Sequence, residues 1–199
     1  MSSLNDLIAS DCHRYLGGEG NHAKLRLVQL GFAYTTMLRK AQAHSRGLLY
    51  YWYRLRLLRI SKRSGFQIGY GAKIGAGLFI GHRGTVIVNG EARLGSNVNL
   101  SPGVVIGQEN RGRRAGVPKI GNRVWLGSNA VVVGNIRIGN DVLIAPNSYV
   151  NFDVPDHSIV IGNPARVIHR ENATAGYCHN LVDESVPDEE YSVTAGGER

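Results

Sequence analysis

Cysteine is scarce in this sequence: two residues, Cys12 and Cys178, stand near opposite ends of 199. Two isolated thiols exclude a disulfide framework and a cysteine-based zinc site, and they fit a reducing compartment. Proline is also sparse, at six residues, which excludes collagen-like and Pro/Gly-linker architectures. No apolar run approaches the roughly 18–20 residues that a membrane-spanning helix requires. The opening MSSLNDLIASD has no basic-then-apolar leader pattern, so a cytoplasmic protein is expected. Acidic residues are short in one third of the chain only. Residues 1–64 carry 11 Lys/Arg against 3 Asp/Glu, whereas residues 65–199 carry 12 of each, so the net charge of +8 belongs to the N-terminal third. Such a basic surface suits solvent or the anionic inner face of a membrane. No nucleic-acid-binding motif accompanies it, so nucleic acid is not expected as a partner.

Glycine is in excess: 26 of 199 residues, nearly twice the usual share of about 7%. The glycines follow an order. In the second half of the chain Ile120, Leu126, Val132, Ile138, Ile144 and Val150 recur at steps of six, with glycine next at Gly121, Gly127 and Gly139. A second series, Val124, Ala130, Ile136 and Val142, sits four residues into each unit. The first half repeats the pattern with Ile68, Ile74 and Ile80, followed by Gly69, Gly75 and Gly81. The frame then slips by two after Val86 and resumes at Val88, Leu94, Leu100 and Ile106. Neither a helical period of 3.6 nor a strand period of two produces this. Short strands joined by tight turns do, three to a triangular turn of a coil with the aliphatics stacked inside. Gly, Asn97, Asn122 and Asn140 are expected to supply positive-φ turn conformations. The repeat covers 66–106 and 119–154, and GQENRGRRAGVP between them reads as a loop, 107–118, thrown out from the coil.

Ahead of the coil, residues 1–64 read as a basic helical region. Leu4, Leu7 and Ile8 open one helix with Ser3 or Asn5 as cap, and segments 24–46 and 47–60 follow. LLYYWYRLRLLRI is apolar almost all round yet carries Arg54, Arg56 and Arg59. It suits packing against the coil or a neighbouring subunit, or peripheral membrane contact through 47–63. Residues 171–199 hold seven acidic residues and one basic, with few apolars, so this tail is expected to be disordered.

The repeat resembles that of the hexapeptide-repeat acyltransferases, whose fold is a left-handed parallel β-helix. HRGTVIVNGEARLGSNVNLSPGVVIG, the loop, PKIGNRVWLGSNAVVVGNIRIGNDVLIAPNSYV and VPDHSIVIGNPARVI occur in the order seen in the serine acetyltransferase-like branch. The similarity covers roughly residues 60–170, with the β-helix domain at 65–170. It implies an acetyl-CoA-dependent O-acetyltransferase with no metal, acting by direct transfer. His82, directly after the Ile80–Gly81 corner, maps onto the family's general base; an imidazole with an ordinary pKa near 6.5 suits that task. The resemblance also implies a homotrimer with coenzyme A in a groove between coils. Trp125, Ser128, Ala130 and Ala145 would face the pantetheine arm, and Arg166 of GNPAR would lie near the nucleotide end. A zinc enzyme on the same coil would need three converging histidines, and His82 is the sole histidine of the repeats before residue 157.

Three departures bear on the acceptor. The family's Asp before the catalytic His is Gly81 here, its Arg-His before Pro-Lys-Ile is Gly116–Val117, and an Asp near the start of the coil falls at about Gln67. A small zwitterion such as serine needs fixed charges to read it. These departures point to an uncharged or differently charged hydroxyl, such as a sugar of a surface polysaccharide or its precursor. Arg113 and Arg114, in a basic cluster with Arg111 and Lys119, are candidates for acceptor contact. Serine O-acetylation in cysteine biosynthesis and a non-catalytic β-helix scaffold are the alternatives.

Overall fold

The computed structural model describes residues 3–18, 20–184 and 193. Residues 66–162 form a left-handed parallel β-helix of about five turns. Its first face stacks Phe66–Ile68, Val86–Val88, Val105–Gly107, Val131–Val133 and Tyr149–Val150; its second stacks Lys73–Ile74, Arg93–Leu94, Lys119–Ile120 and Arg137–Ile138. The third stacks Asn99–Leu100, Val124–Leu126, Val142–Ile144 and Ser158–Gly162, closed by an antiparallel partner, Ala165–His169. The aliphatics at six-residue spacing point inward: Ile120, Leu126, Val132, Ile138 and Ile144 are all fully buried.

The glycines after the aliphatics serve a different purpose from the one expected. Gly121 does not have a positive φ; a Cβ on it would lie 2.6 Å from the carbonyl oxygen of Gly139 one turn on. Backbones at this corner stack too closely for any side chain. The left-handed position is the residue after Asn122 and Asn140, at Arg123 and Asp141, both with φ of 54°. The two asparagines instead form a ladder: Asn122 Oδ1 accepts from Ser96 N at 2.7 Å, and Asn140 Oδ1 accepts from Asn122 N at 2.8 Å. Of the three expected, only Asn97 has a positive φ.

Among the described residues four helices precede the coil: α1 (Leu4–Leu16), α2 (His22–Val28), α3 (Leu30–Ala43) and α4 (Leu48–Ser64). Ser3 caps α1 through a reciprocal pair with Asp6. A coil that starts abruptly exposes the peptide groups of its first turn, which must find partners. Here α1 and α3 supply them. Tyr34 Oη accepts from Ile68 N at 3.0 Å, and Asp11 Oδ1 accepts from Leu78 N at 2.9 Å. Arg39 donates to the carbonyls of Ile74 and Gly75, both at 2.6 Å, and pairs with Asp11 at 3.1 Å. Tyr15 Oη bonds both polar groups of Ile80. Tyr34, Met37, Leu38 and Ala41 of α3 join the same hydrophobic cluster as the coil interior. The helices plug the coil rather than standing apart from it.

The C-terminal segment departs from expectation. Residues 171–184 are docked along the third face, because Ala173, Thr174 and Cys178 are buried and Asp141 of the coil accepts from the backbone N–H groups of Ala173 and Thr174. Most of the remainder of the expected disordered tail lies outside the described residues.

Candidate active site

His82 owes its position to a local irregularity in the repeat. Between the inward-facing Leu100 and Val104 the corner has three residues, whereas between Ile80 and Val86 it has five. The register Phe66↔Val86 and Val88↔Ile106 fixes the two extra residues at 81–85, so the slip falls before Val86, not after it. The longer corner bulges outward and leaves His82 exposed beside the coil. It borders a cleft of about 620 Å³ with three main walls and Gln29, between α2 and α3, at its margin. Arg14 and Tyr15 of α1 form one wall, Phe79, Gly81 and Asn99 of the coil the second, and Tyr177, His179 and Asn180 of the C-terminal segment the third.

These walls are fastened to one another. Arg14 donates from Nη1 to the Gly77 carbonyl at 2.6 Å, from Nη2 to Asn99 Oδ1 at 2.6 Å and from Nε to the His179 carbonyl at 2.8 Å. Asn99 Nδ2 donates to the Tyr177 carbonyl at 3.1 Å, and Asn97 holds Val182 through both its amide groups. Asp141 anchors the start of the segment, accepting from Ala173 N, Thr174 N and Thr174 Oγ1. Burial acts to raise the Asp141 carboxyl, but the hydrogen bonds from Thr174, His157 and Ala173 outweigh it and hold it below the usual carboxylate range. Burial pushes the Cys178 thiol up to about 11, so it stays protonated beneath the segment.

The corner of His82 is continued up the coil by the residues expected to hold coenzyme A. Parallel pairing places Phe79, Asn99, Trp125 and Leu143 in one row. Three residues past each of these lie His82, Pro102, Ser128 and Pro146, with Ala145 just before the last. At about 4.8 Å per turn, Ser128 is two turns and roughly 10 Å from His82. Ser128 and Ala145 are half-buried on this edge. Trp125 faces outward beside it with its ring 4.8 Å from that of Tyr177. Arg166 is exposed on the closing strand, opposite Ile161. Ala130 is a correction. It is fully buried in the coil interior and its N–H and carbonyl are spent on Gly127 and Val105, so it cannot face a ligand.

Arg113 and Arg114 are not near His82 within one chain. Their arm leaves at the corner between the first and second faces, pinched by an antiparallel bridge between Glu109 and Gly116 and tied to the next turn by Asn135 N donating to the Arg114 carbonyl at 2.8 Å. His82 sits at the corner between the third and first faces, a different edge of the triangle. Among the described residues no group of His, Cys, Asp and Glu side chains is arranged to hold a metal ion. Sequence reasoning missed Tyr177, His179 and Asn180, because acidic composition further along the tail masked a docking stretch; the available signal was AGYCHN, the tail's one cluster of aromatic, thiol and amide groups.

The family model "Bacterial transferase hexapeptide (six repeats)" matches residues 118–151. A serine acetyltransferase of Staphylococcus aureus is 36% identical over 113 residues, covering 57% of this chain and 53% of that protein. The serine acetyltransferase of Neisseria gonorrhoeae in complex with serine is 31% identical, with a TM-score of 0.63, over 83% of this chain and 69% of that one. The serine acetyltransferase of Brucella abortus in complex with coenzyme A is 27% identical, with a TM-score of 0.67, over 84% of this chain and 66% of that one. The chain spans about a third to a half of the length of the curated relatives it matches.

Proposed function

The chain belongs to the hexapeptide-repeat transferases of serine acetyltransferase type, and on that footing we propose that it is an acetyl-CoA-dependent O-acetyltransferase with His82 as general base. The observation that carries the reading is the exposed His82 beside its cleft, at the head of a corner row that continues through Ser128 to Ala145. An imidazole nitrogen of His82 takes the acceptor hydroxyl proton as the oxygen attacks the thioester carbonyl. The tetrahedral oxyanion is met by a backbone N–H of the coil. Its collapse expels the coenzyme A thiolate, which the imidazolium reprotonates. Trp125, Ser128 and Ala145 border the pantetheine arm in this reading, and Arg166 lies toward the nucleotide end. A second copy is needed to bring Arg113 and Arg114 to His82, because they occupy different edges of one coil; a homotrimer meets that requirement.

Serine is the acceptor that the relatives favour, since the similar proteins are serine acetyltransferases and one is in complex with serine. A neutral sugar hydroxyl is the second reading, and one observation favours it. None of the described residues lining the cleft is a carboxylate, and each guanidinium nitrogen of Arg14 there already donates one hydrogen bond within the chain. Release of the coenzyme A thiol with L-serine, free sugars and nucleotide sugars distinguishes the two. A specificity constant for serine of about 10⁴ M⁻¹s⁻¹ or more supports the first. Turnover with sugars alone supports the second. Absence of saturable acetyl-CoA binding would overturn both and leave a scaffold.

A further inference from the structure

Helix α4 uses little of its surface to pack. Leu57 and Ser64 are its buried residues, with Tyr53 and Ile60 partly covered against the core. Turning 100° per residue, the opposite side presents Leu48, Tyr51, Trp52 and Leu55 in its first half and Arg59, Lys62 and Arg63 in its second. Leu48 is 90% exposed and Tyr51 69%, and Trp52, Leu55 and the neighbouring Leu58 are each nearly half exposed. Single exposed leucines need no explanation, but a contiguous run with two aromatics marks a contact surface. Among the described residues no helix is long and apolar enough to cross a membrane.

The charge around this surface is of one sign. From Gly20 to Gly90 there are twelve Lys/Arg and not one Asp or Glu. Arg39 is consumed inside by Asp11, and Arg54 is stacked on the rings of Tyr50 and Tyr70. Arg56 lies over the Trp52 ring at 4.9 Å, at the border of the apolar patch. A second copy applying the same face would set cations against cations. Among the described acids, Asp11 is paired with Arg39, Asp141 is bonded to Thr174 and Glu184 is paired with Arg123, each away from this face. A bare polyphosphate would use the arginines and leave the leucines in water. An anionic lipid surface uses both, taking leucine and aromatic side chains into the headgroup boundary while arginines and lysine meet phosphates.

We propose that the outward face of α4 is a docking surface for an anionic membrane, on which the protein lies peripherally. The test is sedimentation of the full chain with vesicles of phosphatidylcholine alone and of phosphatidylcholine mixed with phosphatidylglycerol, at low and high salt. Binding to the anionic vesicles only, weakened by salt, is expected, with a blue shift of Trp52 fluorescence read in a Trp125→Phe background. The triple variant Arg59→Gln/Lys62→Gln/Arg63→Gln should lower partitioning about 100-fold. Trp52→Ala/Leu55→Ala should lower it comparably, with oligomeric mass unchanged in both. Absence of binding by the unaltered chain, or equal binding to neutral vesicles, would overturn the proposal whether or not the variants fold. A change in oligomeric mass in the Trp52/Leu55 variant would overturn it too, by giving the face to a second copy.

Discussion

Asp141, at a left-handed corner of the fourth coil turn, holds Thr174 by two hydrogen bonds from one oxygen: Oδ1 accepts from Thr174 Oγ1 at 2.7 Å and from Thr174 N at 3.0 Å. Its other oxygen accepts from Ala173 N and from His157 Nδ1, both at 2.9 Å. One carboxylate therefore fixes the start of the segment whose later residues wall the His82 cleft.

Asp141→Ala is expected to release that segment locally. Hydrogen bonds to a charged group contribute about 1.5–3 kcal/mol each, and about 1.4 kcal/mol is a factor of ten. Alkylation of Cys178, whose thiol is buried between the segment and the coil, should quicken by roughly tenfold or more, with mass spectrometry separating it from Cys12. The pH dependence has a definite sign. The folded Asp141 carboxyl lies below its ordinary 3.8, so its contribution is complete above that pH and is lost as pH falls further through the folded value. Cys178 protection, followed by a thiol reagent active in acid, should therefore weaken below about pH 3.8 and be flat above it.

Arg39→Ala should be among the most damaging single changes. It leaves Asp11 fully buried without its partner and strips the donors from two carbonyls of the first turn. Breaking a buried pair costs about 3–5 kcal/mol. Arg39→Lys is expected to recover little, because one ammonium cannot reproduce the fork that reaches both Asp11 oxygens and both carbonyls. Thermal unfolding of the three proteins measures this.

Gly121→Ala tests why the repeat demands glycine. The added methyl would sit 2.6 Å from the Gly139 oxygen and 2.7 Å from Asn140 Oδ1, and neither can retreat because both belong to the stacked corner. A loss of about 1–3 kcal/mol, or roughly 3–10 °C in melting temperature, is expected. An unchanged melting temperature would mean that the stacked turns can open without cost.

The coil was legible in the sequence because its period of six is enforced by an interior too narrow for anything but aliphatics, as at Ile120 through Ile144. The reason for Gly121 was not legible, since close stacking and positive φ both select glycine and only the backbone separates them. The two-residue slip was visible, yet only the pairings of Val86 with Phe66 and of Val88 with Ile106 together assign it to the corner carrying His82. The role of Asp11 and Arg39 lay out of reach, because nothing local marks a buried pair whose members are 28 residues apart. Tyr177 and Asn180 were hidden for a related reason: composition averages over a tail, while Arg14, Asn97 and Asp141 pin one stretch of it.

The central claim is tested most directly by the steady-state rate of acetyl transfer in His82→Ala, with acetyl-CoA binding and thermal unfolding measured on the same preparation. The account predicts kcat lowered by about 10²–10⁴, the scale of a lost general base, with acetyl-CoA affinity and melting temperature little changed. A folded variant that binds acetyl-CoA and turns over at a near-normal rate would contradict it.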